Sequence, residues 1–160
     1  MNLGDAQKHL TREEEIYHLP RIDLDLPNHF NFRTEMDVRA SDLDRSGCLK
    51  MEALLLLVTE TRVKFYRSMG YHVEDVEGML PMVKDAVMTD MAACAPGTVL
   101  VFEVTAGEFS RTGCDLFYRA TCTRTGAVVA KAKTAIEFIH ISMGRPAAVP
   151  DGFRRRFAEC

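Results

Sequence analysis

Residues 51 to 69 run without a glycine or a proline, and this stretch limits the possible folds more than any other. Leu54, Leu55, Leu57, Val58, Phe65 and Met69 recur there at helical spacings, which predicts one helix. At about 1.5 Å per residue it would span roughly 28 Å, enough to cross a small domain. Leu56 and Val63 add apolar surface on other flanks, so the helix is expected to be wrapped rather than laid on a surface. Gly70 is the expected stop, because glycine takes the left-handed conformation that ends helices. Ser46-Gly47 breaks the chain ahead of the helix, and Asp44 precedes the N–H groups that a helix start leaves free. A carboxylate beside free donors suits a cap as well as a catalytic group.

The flanking chain reads as strands. Phe32 to Ala40 is the first, ahead of the Asp44 turn. After Gly70 comes a connector punctuated by Gly78 and Pro81. Four runs follow: Met82 to Ala92, Thr98 to Phe109, Asp115 to Thr123, and Ala127 to His140. Polar and apolar residues alternate in several, as in Phe102/Val104 against Glu103/Thr105, so one face packs and one is wet. Short turns such as Thr112-Gly113 and Thr125-Gly126 imply antiparallel hairpins or a meander. The fold class is therefore α+β, with a long central helix and a curved antiparallel sheet of about five strands.

Residues 1–32 read as an extension and 33–160 as the folded domain. Within the extension, Thr11 and Glu14 fit a capping box for a short helix through about His18. Pro20 and Pro27 then impose an extended path. This segment is expected to pack loosely and to be removable. Asp151 is expected to cap a last short helix. One curled sheet leaves part of so apolar a helix uncovered, so a homodimer or homotetramer is expected, with its site at the subunit boundary.

Composition excludes several classes. A formal net charge of −3 argues against a nucleic-acid partner. The Arg154-Arg155-Arg156 run reads as a solvated helix face. The longest apolar run, Ala53 to Val58, is far short of the ~20 residues that span a bilayer. No apolar h-region marks the N-terminus, so a cytoplasmic protein is expected. The five cysteines, Cys48, Cys94, Cys114, Cys122 and Cys160, lack CxxC spacing and read as free thiols. Neither a metal nor a cofactor is implied.

Ser41-Asp42-Leu43-Asp44-Arg45-Ser46-Gly47, followed by Glu60-Thr61-Arg62 and Ser68-Met69-Gly70, resembles the 4-hydroxybenzoyl-CoA thioesterase family of hotdog-fold proteins. That family has a D-x-D-x-x-G turn, a long helix carrying E-x-R, and a closing s-x-G. Gly144-Arg145-Pro146 with Val149-Pro150 resembles its G-R-P-x-x-x-P tail, and the likeness covers roughly residues 33 to 157. The resemblance implies hydrolysis of an acyl-CoA thioester, with Asp44 as nucleophile or general base. It further implies that the Met51 backbone amide polarises the thioester carbonyl, and that Gly47 and Cys48 line the substrate. Preorganised N–H groups at a helix start stabilise such an oxyanion. Glu60 is a second catalytic candidate, because other hotdog groups use a helical carboxylate. The E-x-R pattern also suits a structural pair.

Many family members carry His, Asn and Tyr where this chain has Met51, Ala53 and Leu54. The SDLD segment also resembles acyl-ACP thioesterases, whose Asn and His fall at Ser46 and Cys48. The expected enzyme is accordingly slow, acting on acyl-CoA or acyl-ACP. A non-hydrolytic acyl-binding protein is the alternative. A hotdog hydratase or dehydratase ranks last, since no histidine falls in the turn or the helix.

Overall fold

In the computed structural model, which describes residues 22–89 and 92–158, the apolar run folds as α1, Met51–Ser68. Gly70 ends it at φ +82°. The Gly70 N–H donates to Arg67 O at 3.0 Å and the Tyr71 N–H to Tyr66 O at 3.0 Å. These two bonds close a helix through a left-handed residue and satisfy carbonyls that the last turn leaves free.

Around α1 lie β1 (Phe32–Asp37), β2 (Met79–Thr89), β3 (Val99–Gly107), β4 (Gly113–Cys122) and β5 (Val128–His140). They form one antiparallel sheet in the order β1-β3-β4-β5-β2. The alternation read from sequence sorts its two faces. Phe102 and Val104 of β3, Leu116 and Tyr118 of β4, and Ala130 and Ala132 of β5 are buried against the helix. The opposite face carries cross-strand ion pairs: Arg119 to Glu103 at 2.7 Å, Lys84 to Glu137 at 3.1 Å, and Lys133 to Asp115 at 3.2 Å. Charged partners paired across neighbouring strands keep the exposed part of that face polar, while Val101, Thr105 and Phe117 on it are buried. A long helix backed by a curved five-stranded antiparallel sheet is the α+β hotdog architecture.

Several boundaries differ from the expectations. β1 stops at Asp37 because Ala40–Asp42 turns as a short 3-10 helix. β2 begins at Met79 and runs straight through Pro81, which punctuated the sequence as a connector. Proline supplies no ladder N–H, and β2 tolerates it because β2 is an edge of the sheet. The last helix, α2 (Asp151–Arg155), has Pro150 at its cap, with Asp151 already inside the first turn. Its free N–H groups are met from elsewhere: the Phe153 N–H donates to Glu77 Oε2 at 2.9 Å. Arg154 and Arg156 are tied down too, donating to Ser110 O at 2.5 Å and Met69 O at 3.1 Å.

The expected capping box at Thr11 lies outside the described residues. The later part of the extension meets the wet face of the sheet. Leu24 is buried, the Phe30 ring sits 4.6 Å from the Arg119 guanidinium, and Thr105 Oγ1 donates to Asn31 Oδ1.

The helix is wrapped on one side only. Ala53, Leu54, Leu57, Val58, Thr61, Phe65 and Tyr66 are buried. Met51, Leu55 and Leu56 are 54%, 41% and 67% exposed. The sheet curls over one flank of α1 and leaves three large apolar side chains in the open.

Candidate active site

The Asp44 turn is a tight hairpin feeding directly into α1. Leu43 and Leu49 pair across it, Asp44 N–H donates to Cys48 O at 2.9 Å, and Lys50 N–H donates to Asp42 O at 2.9 Å. Gly47 turns the chain at φ +80°, where an L side chain would be strained. Its carbonyl accepts from Cys94 N–H at 2.8 Å, and Cys48 bridges to Ala93. The turn is thus docked on the segment that precedes β3.

Asp44 is exposed, and its carboxylate is anchored by one oxygen. Oδ1 accepts from Ser46 Oγ at 2.6 Å, Ser46 N–H at 2.8 Å and Cys48 N–H at 3.0 Å. The Ser46 hydroxyl, and after it the Cys48 amide, hold the Asp44 carboxyl below the usual aspartate value of 3.8. Oδ2 takes none of these bonds. The side chain is therefore held in place and ionised at neutral pH with one oxygen to spare. Asp42 is the buried carboxylate of the pair; its Oδ2 accepts from Arg39 N–H at 2.8 Å and stays within the turn.

Met51 is the first residue of α1, with Lys50 at the cap and no side chain capping it. Its N–H is one of the four donors that have no acceptor inside a helix. The hairpin brings Asp44, Gly47 and Cys48 together and leads within three residues to the Met51 amide at the start of α1. Cys48 takes part through its backbone, and its half-buried thiol is free.

Glu60 is not brought to them. It lies nine residues into α1, on the flank that faces Glu35, Met36 and Asp37 of β1 across a groove of 590 Å³. Its ion pair is with Lys64, at 3.8 Å. The pairing with Arg62 suggested by E-x-R does not form, because residues two apart point about 200° away from each other around a helix. No group of three His, Cys, Asp or Glu side chains among the described residues is arranged to hold a metal.

Sequence reasoning missed two features. Ser46 entered it as a chain break and as a departure from a motif, yet its hydroxyl is the main anchor of Asp44. An aspartate followed two residues on by a serine was the local signal, since Asx turns use that spacing. The second feature is a set of polar side chains under α1: Arg62, Tyr66, Tyr118 and Thr134. Arg62 lies eleven residues after Met51, three turns on and on the same flank, which the helical period alone could have indicated.

The acid limb of any activity that needs ionised Asp44 should fall below 3.8, and Ser46→Ala should move it upward. The pH profile of kcat/KM for both proteins checks this. Identical limbs would mean that the hydroxyl does not tune the carboxylate.

The sequence profile of the Thioesterase-like superfamily matches residues 38–157. Among solved structures, the chain is similar to a 1,4-dihydroxy-2-naphthoyl-CoA thioesterase from Synechocystis, with a TM-score of 0.69 at 18% identity, covering 80% of this chain and 96% of that one. It is also similar to a thioesterase, itself only provisionally described, from Pseudomonas aeruginosa, with a TM-score of 0.70 at 20% identity, over 81% and 100% of the two chains. A Staphylococcus aureus protein solved in complex with CoA gives a TM-score of 0.69 at 14% identity, over 85% and 86%. No curated protein sequence matches the chain.

Proposed function

The chain belongs to the Thioesterase-like superfamily, and on that premise we propose that it hydrolyses an acyl-CoA thioester to the free acid and CoA. The observation that carries the reading is the Asp44 carboxylate, pinned through Oδ1 and ionised, beside the open start of α1. In this reading the thioester carbonyl oxygen lies on the Met51 N–H, which stabilises the negative charge as the carbonyl becomes tetrahedral. Asp44 Oδ2 either attacks the carbonyl carbon or takes a proton from the water that does. The C–S bond then breaks, the thiolate leaves and is protonated, and any acyl-aspartate anhydride is opened by water. Gly47 and Cys48 shape the turn around the reacting carbon. Glu60, on the far flank of α1, contributes little, so Glu60→Gln should cost less than loss of Asp44.

The His and Asn that accompany the aspartate in many relatives are Met51 and Ala53 here. This favours a slow enzyme, and it keeps a second reading alive: an acyl-binding protein that does not hydrolyse. Thiol release from short, long and aromatic acyl-CoAs separates the two. Release above the buffer rate supports hydrolysis. Saturable binding without release supports carriage or sensing.

We also propose that two copies assemble. β2 is a sheet edge with its middle exposed, including Met82 and Val83, and the helix leaves Met51 and Leu55 uncovered. Pairing of two β2 edges would extend the sheet and bring a second subunit over these side chains, completing the site at the boundary. Light scattering at micromolar concentration should give at least a dimer. A single species of monomer mass would contradict it.

A further inference from the structure

Arg62 stands where the open flank of α1 ends. Met51, Leu55 and Arg62 are spaced four and seven residues apart, so they share one side of the helix. Leu56, Glu60 and Lys64 occupy the other side, against β1. Met51 and Leu55 are exposed apolar side chains, and Arg62 is half-buried. Behind Arg62 are Tyr118 and Thr134, both buried, with Tyr118 Oη 3.2 Å from Thr134 Oγ1. Burial pushes the Tyr118 phenol up to about 12, while the Arg62 guanidinium pulls the other way by charge and hydrogen bonding.

Packing does not explain two features of this group. No carboxylate among the described residues forms an ion pair with Arg62, although Glu60 is its neighbour in sequence. The Tyr66 hydroxyl, next to it on α1 and fully buried, has no hydrogen-bond partner among the described residues. An unpaired buried hydroxyl is a standing cost to the fold. A half-buried guanidinium without a carboxylate is a cation short of its anion.

We infer that Arg62 is a specificity-determining residue that binds a carboxylate at the far end of the acyl group. The inference rests on the thioesterase reading above and names its substrate class: the CoA half-thioester of a dicarboxylic acid. Arg62 lies about 16 Å along the helix axis from Met51. Helical side chains lean toward the N-terminus, which brings the guanidinium to roughly 10 Å from the first turn. A medium-length acyl chain fits between them, passing over Met51 and Leu55. A planar guanidinium takes a carboxylate through two parallel hydrogen bonds, stronger than any it makes to a neutral oxygen. Tyr118, held by Thr134, is the positioning residue that keeps Arg62 aimed along the flank.

The test compares kcat/KM for three CoA thioesters: octanoyl, the eight-carbon dicarboxylic half-thioester, and 4-hydroxyphenylacetyl. Wild type should prefer the dicarboxylic substrate by at least about tenfold. Arg62→Met should erase that preference and leave the octanoyl rate within about threefold. Arg62→Lys should retain part of it, since a lysine offers charge without the fork. Tyr118→Phe should raise KM for the dicarboxylic substrate alone. Equal rates on all three substrates, or a preference for the phenol, would overturn the assignment. So would an Arg62→Met protein that loses all substrates equally or changes its sedimentation, because the arginine would then serve a subunit contact. Should no thioester be hydrolysed, calorimetry on the same chain still decides. Tighter binding of the dicarboxylic thioester that Arg62→Met abolishes upholds the inference, and equal binding overturns it.

Discussion

Gly113→Ala should lower the melting temperature by roughly 6–12 °C, the shift that about 3 kcal/mol produces in a chain of this size. Gly113 opens β4 opposite Glu137 of β5. A Cβ there would sit 2.2 Å from the Ile136 carbonyl oxygen and 3.3 Å from its carbon. These are backbone atoms in the middle of a ladder, so they have no rotamer to swing aside. The chain is fixed on the other side as well. Ser110 N–H donates to Gly113 O at 2.9 Å, Gly113 N–H donates to Ser110 Oγ at 3.0 Å, and Phe138 N–H donates to Thr112 O at 2.8 Å. Relief of the clash must break one of these contacts or shift β5. Gly126→Ala is the fitting comparison. It has open space around it and a φ of +70°, so only backbone strain of about 1–2 kcal/mol applies. Urea and thermal unfolding of both variants give the two numbers. Equal, small losses would mean that β4 and β5 can separate at this point more easily than the register implies.

The helix and most strands were legible because their signals are local. A Gly- and Pro-free apolar run, a stopping glycine and period-two alternation each act within a few residues. β2 was read as starting three residues late for a different reason. Whether Pro81 ends a strand depends on whether the strand is an edge, and that follows from the order of the whole sheet. The half-exposure of α1 was hidden in the same way. Leu54 and Leu55 are alike in sequence, yet one is buried and the other is open, because the sheet curls over only one flank.

The site divides along the same line. Asp44 and the start of α1 lie within one short turn, so spacing and motif reached them together. Arg62, Tyr118 and Thr134 come from α1, β4 and β5, and no window on the sequence joins them. Glu60 shows the converse. The motif singled it out, but the helical period turns it away from Asp44 and toward Lys64.

Asp44→Asn tests the central claim most directly. The amide is nearly isosteric with the carboxylate, and its oxygen can still accept from Ser46 and Cys48, so the turn should keep its shape. It can neither attack a thioester nor take a proton from water at neutral pH. The loss of a general base or nucleophile costs about 10²-fold or more in kcat. The measurement is steady-state thiol release by wild type and Asp44→Asn on one acyl-CoA, with calorimetry showing that both bind it and unfolding showing that both are folded. The account predicts equal binding, equal stability and a kcat at least about a hundredfold lower for Asp44→Asn. Equal kcat values for the two proteins would contradict it.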